Sequence, residues 1–143
     1  MDALLQALSN ELRLGISLTT LQDLVSDYNA DDWKQHIIYN NTTYNRKLVA
    51  RTDEADIYIM SWKHGQCSKI HDHPEKGCIM RVMMGTVLET TFGEGVGTAD
   101  ILHYENDVTY KYGGDLHRIR AVTGNAVTMH IYAPPGYIAR VFD

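Results

Sequence analysis

Gly65-Gln-Cys-Ser-Lys-Ile-His71-Asp-His73-Pro-Glu-Lys-Gly-Cys78-Ile-Met-Arg-Val-Met-Met-Gly85 is the most informative run in this chain. His71 and His73 are separated by one residue, so on an extended backbone both imidazoles leave the same face and can hold one cation together. A lone His-x-His pair is as often a chance surface feature as a chelate. The framing glycines change that balance, because the run reads as Gly65, five residues, His-x-His, four residues, Cys78, six residues, Gly85. Some tens of residues later Gly113-Gly114-Asp-Leu-His117 offers a third imidazole just after a glycine turn. Three neutral imidazoles without a carboxylate leave a divalent ion its full charge and open positions, which invites an anionic ligand. Imidazole suits Fe, Zn, Cu or Ni, and an open facial set is typical of non-haem Fe(II) oxygenases. A structural zinc needs a fourth protein ligand, for which Cys78 is the candidate.

Outward from this run the texture is β. Short segments rich in Ile, Val, Tyr, Thr and Met alternate with Gly, Asn and Asp from about Ile37 onward, at the spacing of a barrel or sandwich. Strands are expected at 56–62, 79–84, 86–92, 107–112, 117–122 and 126–133. Gly93, Gly95 and Gly97 read as a hairpin tip and not a phosphate loop, since no helix or basic residue follows. In 126–133 one face carries Val127, Met129 and Ile131 and the other Thr128, His130 and Tyr132. Inside a closed barrel His130 and Tyr132, two residues apart on the inward face, form a polar spot in an apolar cavity, the usual make-up of a ligand pocket.

Residues 1–36 read as helical. Leu4, Leu5, Leu8, Leu12 and Leu14 recur near a 3.6 period, Ser17 or Thr19 is placed to cap a second stretch with Leu21, Leu24 and Val25, and Asn29 a third. The expected plan is one domain over 1–143, a helical cap (1–36) on an antiparallel β-barrel (37–143).

The whole chain is consistent with that plan. Its 143 residues suffice for one domain burying about two thirds of its unfolded surface without a metal or disulfide to hold it. A net charge of −5, from 13 basic and 18 acidic residues, has the wrong sign for a phosphate-backbone binder. The longest strongly apolar run is Ile57–Met60, far short of the roughly 20 residues that cross a bilayer. The start has no basic n-region, so a cytoplasmic location is expected, with no nucleic acid or membrane partner, and a monomer. Two cysteines, Cys67 and Cys78, exclude a disulfide framework; Cys67 reads as a small buried filler. Seven His against two Phe is the one unusual statistic. His36, His64 and His103 have no chelate spacing and read as surface or satisfied structural residues. Arg118 and Arg120 alternate with His117 and Ile119 and are expected on the outer face.

The glycine-framed run resembles the first motif of the cupins, with Cys78 in place of the motif's Glu, and Gly113–His117 resembles the second, with Tyr112 where Pro is common and Ala121 where Asn is common. That Cys, together with a Tyr on the last strand, makes most of the chain resemble the cysteine dioxygenase family. Tyr44-Asn-Arg46, Ser61-Trp62, Ile70-His-Asp-His73, Leu116-His-Arg118, His130-Ile-Tyr132-Ala-Pro-Pro135 and Phe142-Asp143 support the match. The resemblance implies a double-stranded β-helix (jelly-roll) barrel that oxidises L-cysteine with O2 to cysteine sulfinic acid. It implies Fe(II) held by His71, His73 and His117, Arg46 gripping the substrate carboxylate, and Tyr44 lining the substrate side. Cys78 would join Tyr132 by a thioether, and His130 would hydrogen-bond the Tyr132 hydroxyl. A planar bidentate fork suits a carboxylate, and a fixed phenol can donate to bound substrate.

Gly77, where the animal enzymes of the family carry a bulkier residue, and Ala139, where a Cys is common, bear on pocket tightness and thiol selectivity. Two rivals stand beside this reading. In 3-mercaptopropionate dioxygenases Gln usually replaces the Arg and the cross-link is absent, against Arg46 and Cys78 here. In a non-catalytic Zn or Ni cupin, Cys78 would complete the coordination sphere and Tyr132 would be core.

Overall fold

The computed structural model describes residues 1–93 and 97–142. Helix α1 (Asp2–Arg13) buries Leu4, Leu5, Leu8 and Leu12, as its periodicity requires. Leu14 falls outside that stripe, at 76% exposure, because α1 stops at Arg13 and Gly15 turns the chain with φ +85°. A single turn at Leu18–Thr20 follows, flanked by Ser17, and then helix α2 (Gln22–Asp27). The third turn, Asp32–His36, is flanked by Asp31 and not by Asn29.

Among the described residues eight strands follow: β1 (Asn45–Arg51), β2 (Asp56–Trp62), β3 (Cys78–Met84), β4 (Val87–Gly93), β5 (Gly97–His103), β6 (Val108–Lys111), β7 (Leu116–Ala121) and β8 (Ala126–Tyr132). One sheet has the order β1-β2-β8-β3-β6 and the other β5-β4-β7, with antiparallel pairing throughout. The six strands expected from alternation are present within a residue at most ends. Strands β1 and β5 were not expected as such. Gly93 pairs with Gly97 across the β4–β5 hairpin, and Gly95 of its glycine tip lies outside the described residues.

Because β8 is central, both of its faces are buried. Val127, Met129 and Ile131 join Ile57, Ile59 and Ile79 and the leucines of the N-terminal helices in one apolar cluster. Tyr132 joins Tyr58, Met60, Trp62, Cys78, Met80 and Val82 in another, inside the barrel. Arg81 on β3 faces the helices and donates to the carbonyls of Val25 and Tyr28, tying the end of α2 to the barrel through acceptors that a helix end leaves unpaired.

The segment before β3 acts as a further strand beside β7. Gly65 and Ser68 donate to the carbonyls of Ala121 and Ile119, and His71 and His117 exchange backbone hydrogen bonds at 3.0 and 3.2 Å. Two glycines of the run are steric necessities. Gly77 and Gly85 have φ +96° and +82°, and a Cβ on either would sit 2.5 Å from a backbone oxygen, of Lys111 or Asn125. The resemblance made Gly77 an oddity of pocket size; the structure makes it a turn that admits no side chain.

Candidate metal centre

His71, His73 and His117 come together from the loop beside β7 and from β7 itself, with ligand atoms all within 4.8 Å of one another. Each ring is oriented from behind. His71 Nδ1 donates to the Lys69 carbonyl at 2.7 Å, and His73 Nδ1 to the Asp115 carbonyl at 2.8 Å. His117 Nδ1 donates to Glu89 Oε2 at 2.6 Å. Carbonyls only accept, and the bonds from His103, His117 and Lys111 hold Glu89 ionised despite its burial, so all three protons sit on Nδ1. The three Nε2 lone pairs therefore face one another, at 3.0 Å between His73 and His117 and 3.1 Å between His117 and His71, with no proton between them. A cation relieves that arrangement. Burial, reinforced by neighbouring imidazoles, lowers His71 to about 4 and His73 to about 3, and burial also lowers His117, so the donors are neutral and ready to ligate.

Glu89 is fully buried on β4 and was not singled out in the sequence. Besides His117 it accepts from His103 Nε2 at 2.9 Å and from Lys111 Nζ at 3.0 Å. A carboxylate behind a ligating imidazole fixes its tautomer and raises its basicity. The signal was available in principle: Glu89 shares a strand face with the buried Val87 and lies diagonally across from His117 in the β4–β7 register. His103 is thus a satisfied structural residue, and exposed His64 bonds the Val122 carbonyl. His36 differs from expectation: its Nδ1 is buried with no hydrogen-bond partner. Arg118 and Arg120 point outward as expected.

A cavity of about 450 Å³ opens over His71 and His117, lined among others by Tyr44, Arg46, Trp62, His130 and Tyr132. The Arg46 guanidinium lies 3.9 Å over the Tyr58 ring and 5.6 Å from that of Tyr132. Among the described residues no carboxylate pairs with it, so a cation faces the cavity with its donors available. Tyr44 stacks on Trp62 at 4.2 Å and 12°. Trp62 Nε1, which can only donate, bonds Thr128 Oγ1 at 2.9 Å. The threonine proton is then available to His130 Nε2 at 2.7 Å, which leaves the imidazole proton on Nδ1, directed at the Tyr132 oxygen at a long 3.4 Å. Burial keeps His130 neutral and Tyr132 protonated. Thr128 and Tyr58 are the other site residues that sequence reasoning missed.

Cys78 and Tyr132 are directly opposed in the β3–β8 register. Burial pushes Cys78 up to about 12. Its sulfur is not among the converging ligand atoms, which leaves the four-ligand zinc alternative without its fourth ligand. Cys67 is not buried: it is exposed and lines the cavity mouth, because the loop beside β7 turns it away from the barrel interior.

A two-sheet barrel with converging histidines from these two motifs is a metal-binding cupin. Solved structures with this fold include a cupin superfamily protein from Desulfitobacterium hafniense (TM-score 0.61, 15% identity, 75% of this chain and 91% of that one). An RmlC-like cupin from Desulfovibrio desulfuricans is similar (0.60, 21%, 73% and 96%). Within that class the chain belongs to the cysteine dioxygenase type I family, whose model matches residues 13–143. It is 29% identical to cysteine dioxygenase type 1 of Danio rerio and 27% identical to that of Homo sapiens. These matches cover 90% of this chain and 71% and 70% of those proteins. Among the described residues no helix is long and apolar enough to cross a membrane.

Proposed function

We propose that this protein is an Fe(II)-dependent thiol dioxygenase that converts L-cysteine and O2 to cysteine sulfinic acid, both oxygen atoms passing to the sulfur. The observation that carries the reading is the set of three converging, unprotonated Nε2 atoms at a cavity also lined by Arg46, which no carboxylate among the described residues pairs. Family membership supports it. His71, His73 and His117 would hold the iron, whose chemistry is to lower the thiol pKa and to bring thiolate and O2 together at its open positions.

The remaining work belongs to side chains. Arg46 offers its fork to the substrate carboxylate, and the Tyr58 ring beneath it fixes the guanidinium plane. Tyr132 holds a phenol proton that can be donated into the cavity, and the Trp62, Thr128 and His130 relay sets its direction. Tyr44, pinned on Trp62, forms the substrate-side wall. Cys78 and Tyr132 would join by a thioether between sulfur and ring, the S–H and one ring C–H bond giving up two protons and two electrons to O2, which leaves as hydrogen peroxide. The chain would act as one monomeric cupin unit, residues 1–36 capping a barrel of 37–143.

Oxygen uptake by iron-loaded protein given L-cysteine, cysteamine or 3-mercaptopropionate tests the reading. L-Cysteine should be preferred. Arg46→Ala should cost it about 2–5 kcal/mol of recognition, as loss of a buried charge-assisted pair does, and shift preference toward cysteamine. Preference for 3-mercaptopropionate would reassign the substrate, and uptake with none would favour a non-catalytic zinc or nickel site.

A further inference from the structure

Asp72 stands between two of the proposed ligands, yet its carboxylate is directed elsewhere. On the extended His71–His73 run it leaves the opposite face, where it is only 3% exposed. Its Oδ1 accepts from the Tyr137 hydroxyl and from the Arg140 backbone N–H, both at 2.8 Å, and its Oδ2 accepts from Arg140 Nε at 2.8 Å.

The main chain of the same segment is bound to the same loop. Asp72 N–H donates to the Arg140 carbonyl at 3.1 Å, Phe142 N–H to that of Ile70 at 3.0 Å, and Val141 bridges His71. At its start, Gly136 N–H donates to Asp56 Oδ2 at 2.8 Å, a buried carboxylate that Arg51 also grips. Residues 136–142 thus form a strap stretched between two buried aspartates.

This strap is a cavity wall. Tyr137, Ile138, Ala139 and Val141 line the space that Arg46 and Tyr132 line as well. The other lining residues lie on barrel strands or the loops leading into them, so the strap is the wall that does not belong to the barrel framework. At about 450 Å³ the cavity falls in the range that takes drug-sized ligands, more than a free amino acid fills. Thiol and carboxylate recognition alone therefore leaves room for a longer molecule. Ile138, an apolar side chain at 88% exposure, stands on this wall toward solvent.

We propose that the strap 136–142 is the specificity-determining wall of the site, and that Asp72, by clasping Tyr137 and Arg140, is a positioning residue that fixes how long a thiol is admitted. This rests on the thiol dioxygenase reading. The clasp also makes the wall rigid with respect to the iron, since the residue that holds it lies between two ligands.

Arg140 is the residue to change, because its side chain is largely exposed and does not line the cavity. In iron-loaded Arg140→Ala, hydrogen exchange at the amides of Arg140 and Phe142 should quicken at least about tenfold while β8 amides keep their protection, the signature of a local opening. The ratio of kcat/KM for L-homocysteine over L-cysteine should rise about tenfold, the scale on which one methylene is discriminated. Iron content should not change. Arg140→Lys, which can still donate to Asp72 Oδ2, should restore most of both.

Faster strap exchange with unmoved selectivity would overturn the wall, and unmoved exchange would overturn the clasp. A wild-type protein that oxidises no thiol would instead overturn the dioxygenase reading, and the specificity claim with it, while the exchange result would still judge the clasp.

Discussion

The three strands β2, β8 and β3 present two faces that differ in everything except their backbone. Outward, Ile57, Ile59, Val127, Met129, Ile131 and Ile79 meet the leucines of the helical cap in a largely apolar contact, to which Arg81 adds its bonds to the end of α2. Inward, one residue along in every case, Tyr58, Met60, Trp62, Thr128, His130, Tyr132 and Cys78 carry hydroxyl, indole, imidazole and thiol groups into the barrel. A period of two makes both possible on one strand. The outer face gains stability from area removed from water, whereas each inner polar group must find a partner, and the partners it finds form an oriented network. The two faces should accordingly fail in different ways.

The largest separation is expected at the ligands. His71→Ala, His73→Ala or His117→Ala should each abolish iron retention and turnover, because among the described residues no other His, Cys, Asp or Glu converges on the site, while the melting curve of the metal-free protein should change little. Metal analysis and thermal unfolding on the same samples check this, and full iron content in any one variant would remove that residue from the ligand set.

Across the sheet the pattern should invert. Ile131→Ala, one residue from Tyr132, should cost about 2–5 kcal/mol in urea unfolding through the cavity it leaves, with iron content and thiol preference retained. Comparable losses of iron and stability together would show that the faces are not independent.

A smaller effect sharpens the inner face. Glu89→Gln keeps shape but replaces the carboxylate that His117, His103 and Lys111 share. Metal affinity should fall about 10–100-fold, the usual cost of losing such an orienting group. A chelator competition with wild type and variant measures it, and unchanged affinity would reduce Glu89 to packing.

The smallest effect belongs to Cys78. With its thiol pushed up to about 12, Cys78 stays protonated at neutral pH, so native protein should be alkylated at exposed Cys67 and not at Cys78. After turnover with iron, cysteine and O2, part of the protein should be lighter by two hydrogens, with Cys78 and Tyr132 in one linked peptide. Cys78→Ser should keep iron and some activity and lose that species, and Cys78 fully alkylatable after denaturation would exclude the cross-link.

What was legible in the sequence was whatever repeats locally. The His-x-His pair, the glycines framing it and the alternation in 126–133 are short-range patterns, and they located the three histidines and both faces of β8. Strand β1 escaped notice because Asn-Arg-Lys-Leu-Val-Ala-Arg is an edge strand, half exposed and charged. Glu89, Thr128 and Asp72 escaped for a different reason. A polar residue within a strand or loop looks solvated until its partner is known, and those partners lie 28, 66 and 68 residues away in the chain. Cys67 erred the other way: burial was inferred from residue type, and the loop path decided otherwise.

The central claim is that the inner face, with its iron, delivers both atoms of O2 to a thiol. Isotopically labelled dioxygen supplied to the iron-loaded protein with L-cysteine tests it most directly, by mass spectrometry of the product. Cysteine sulfinic acid carrying two labelled oxygens is the predicted result. A product with one labelled oxygen or none, or iron-loaded protein that consumes no oxygen, would contradict it.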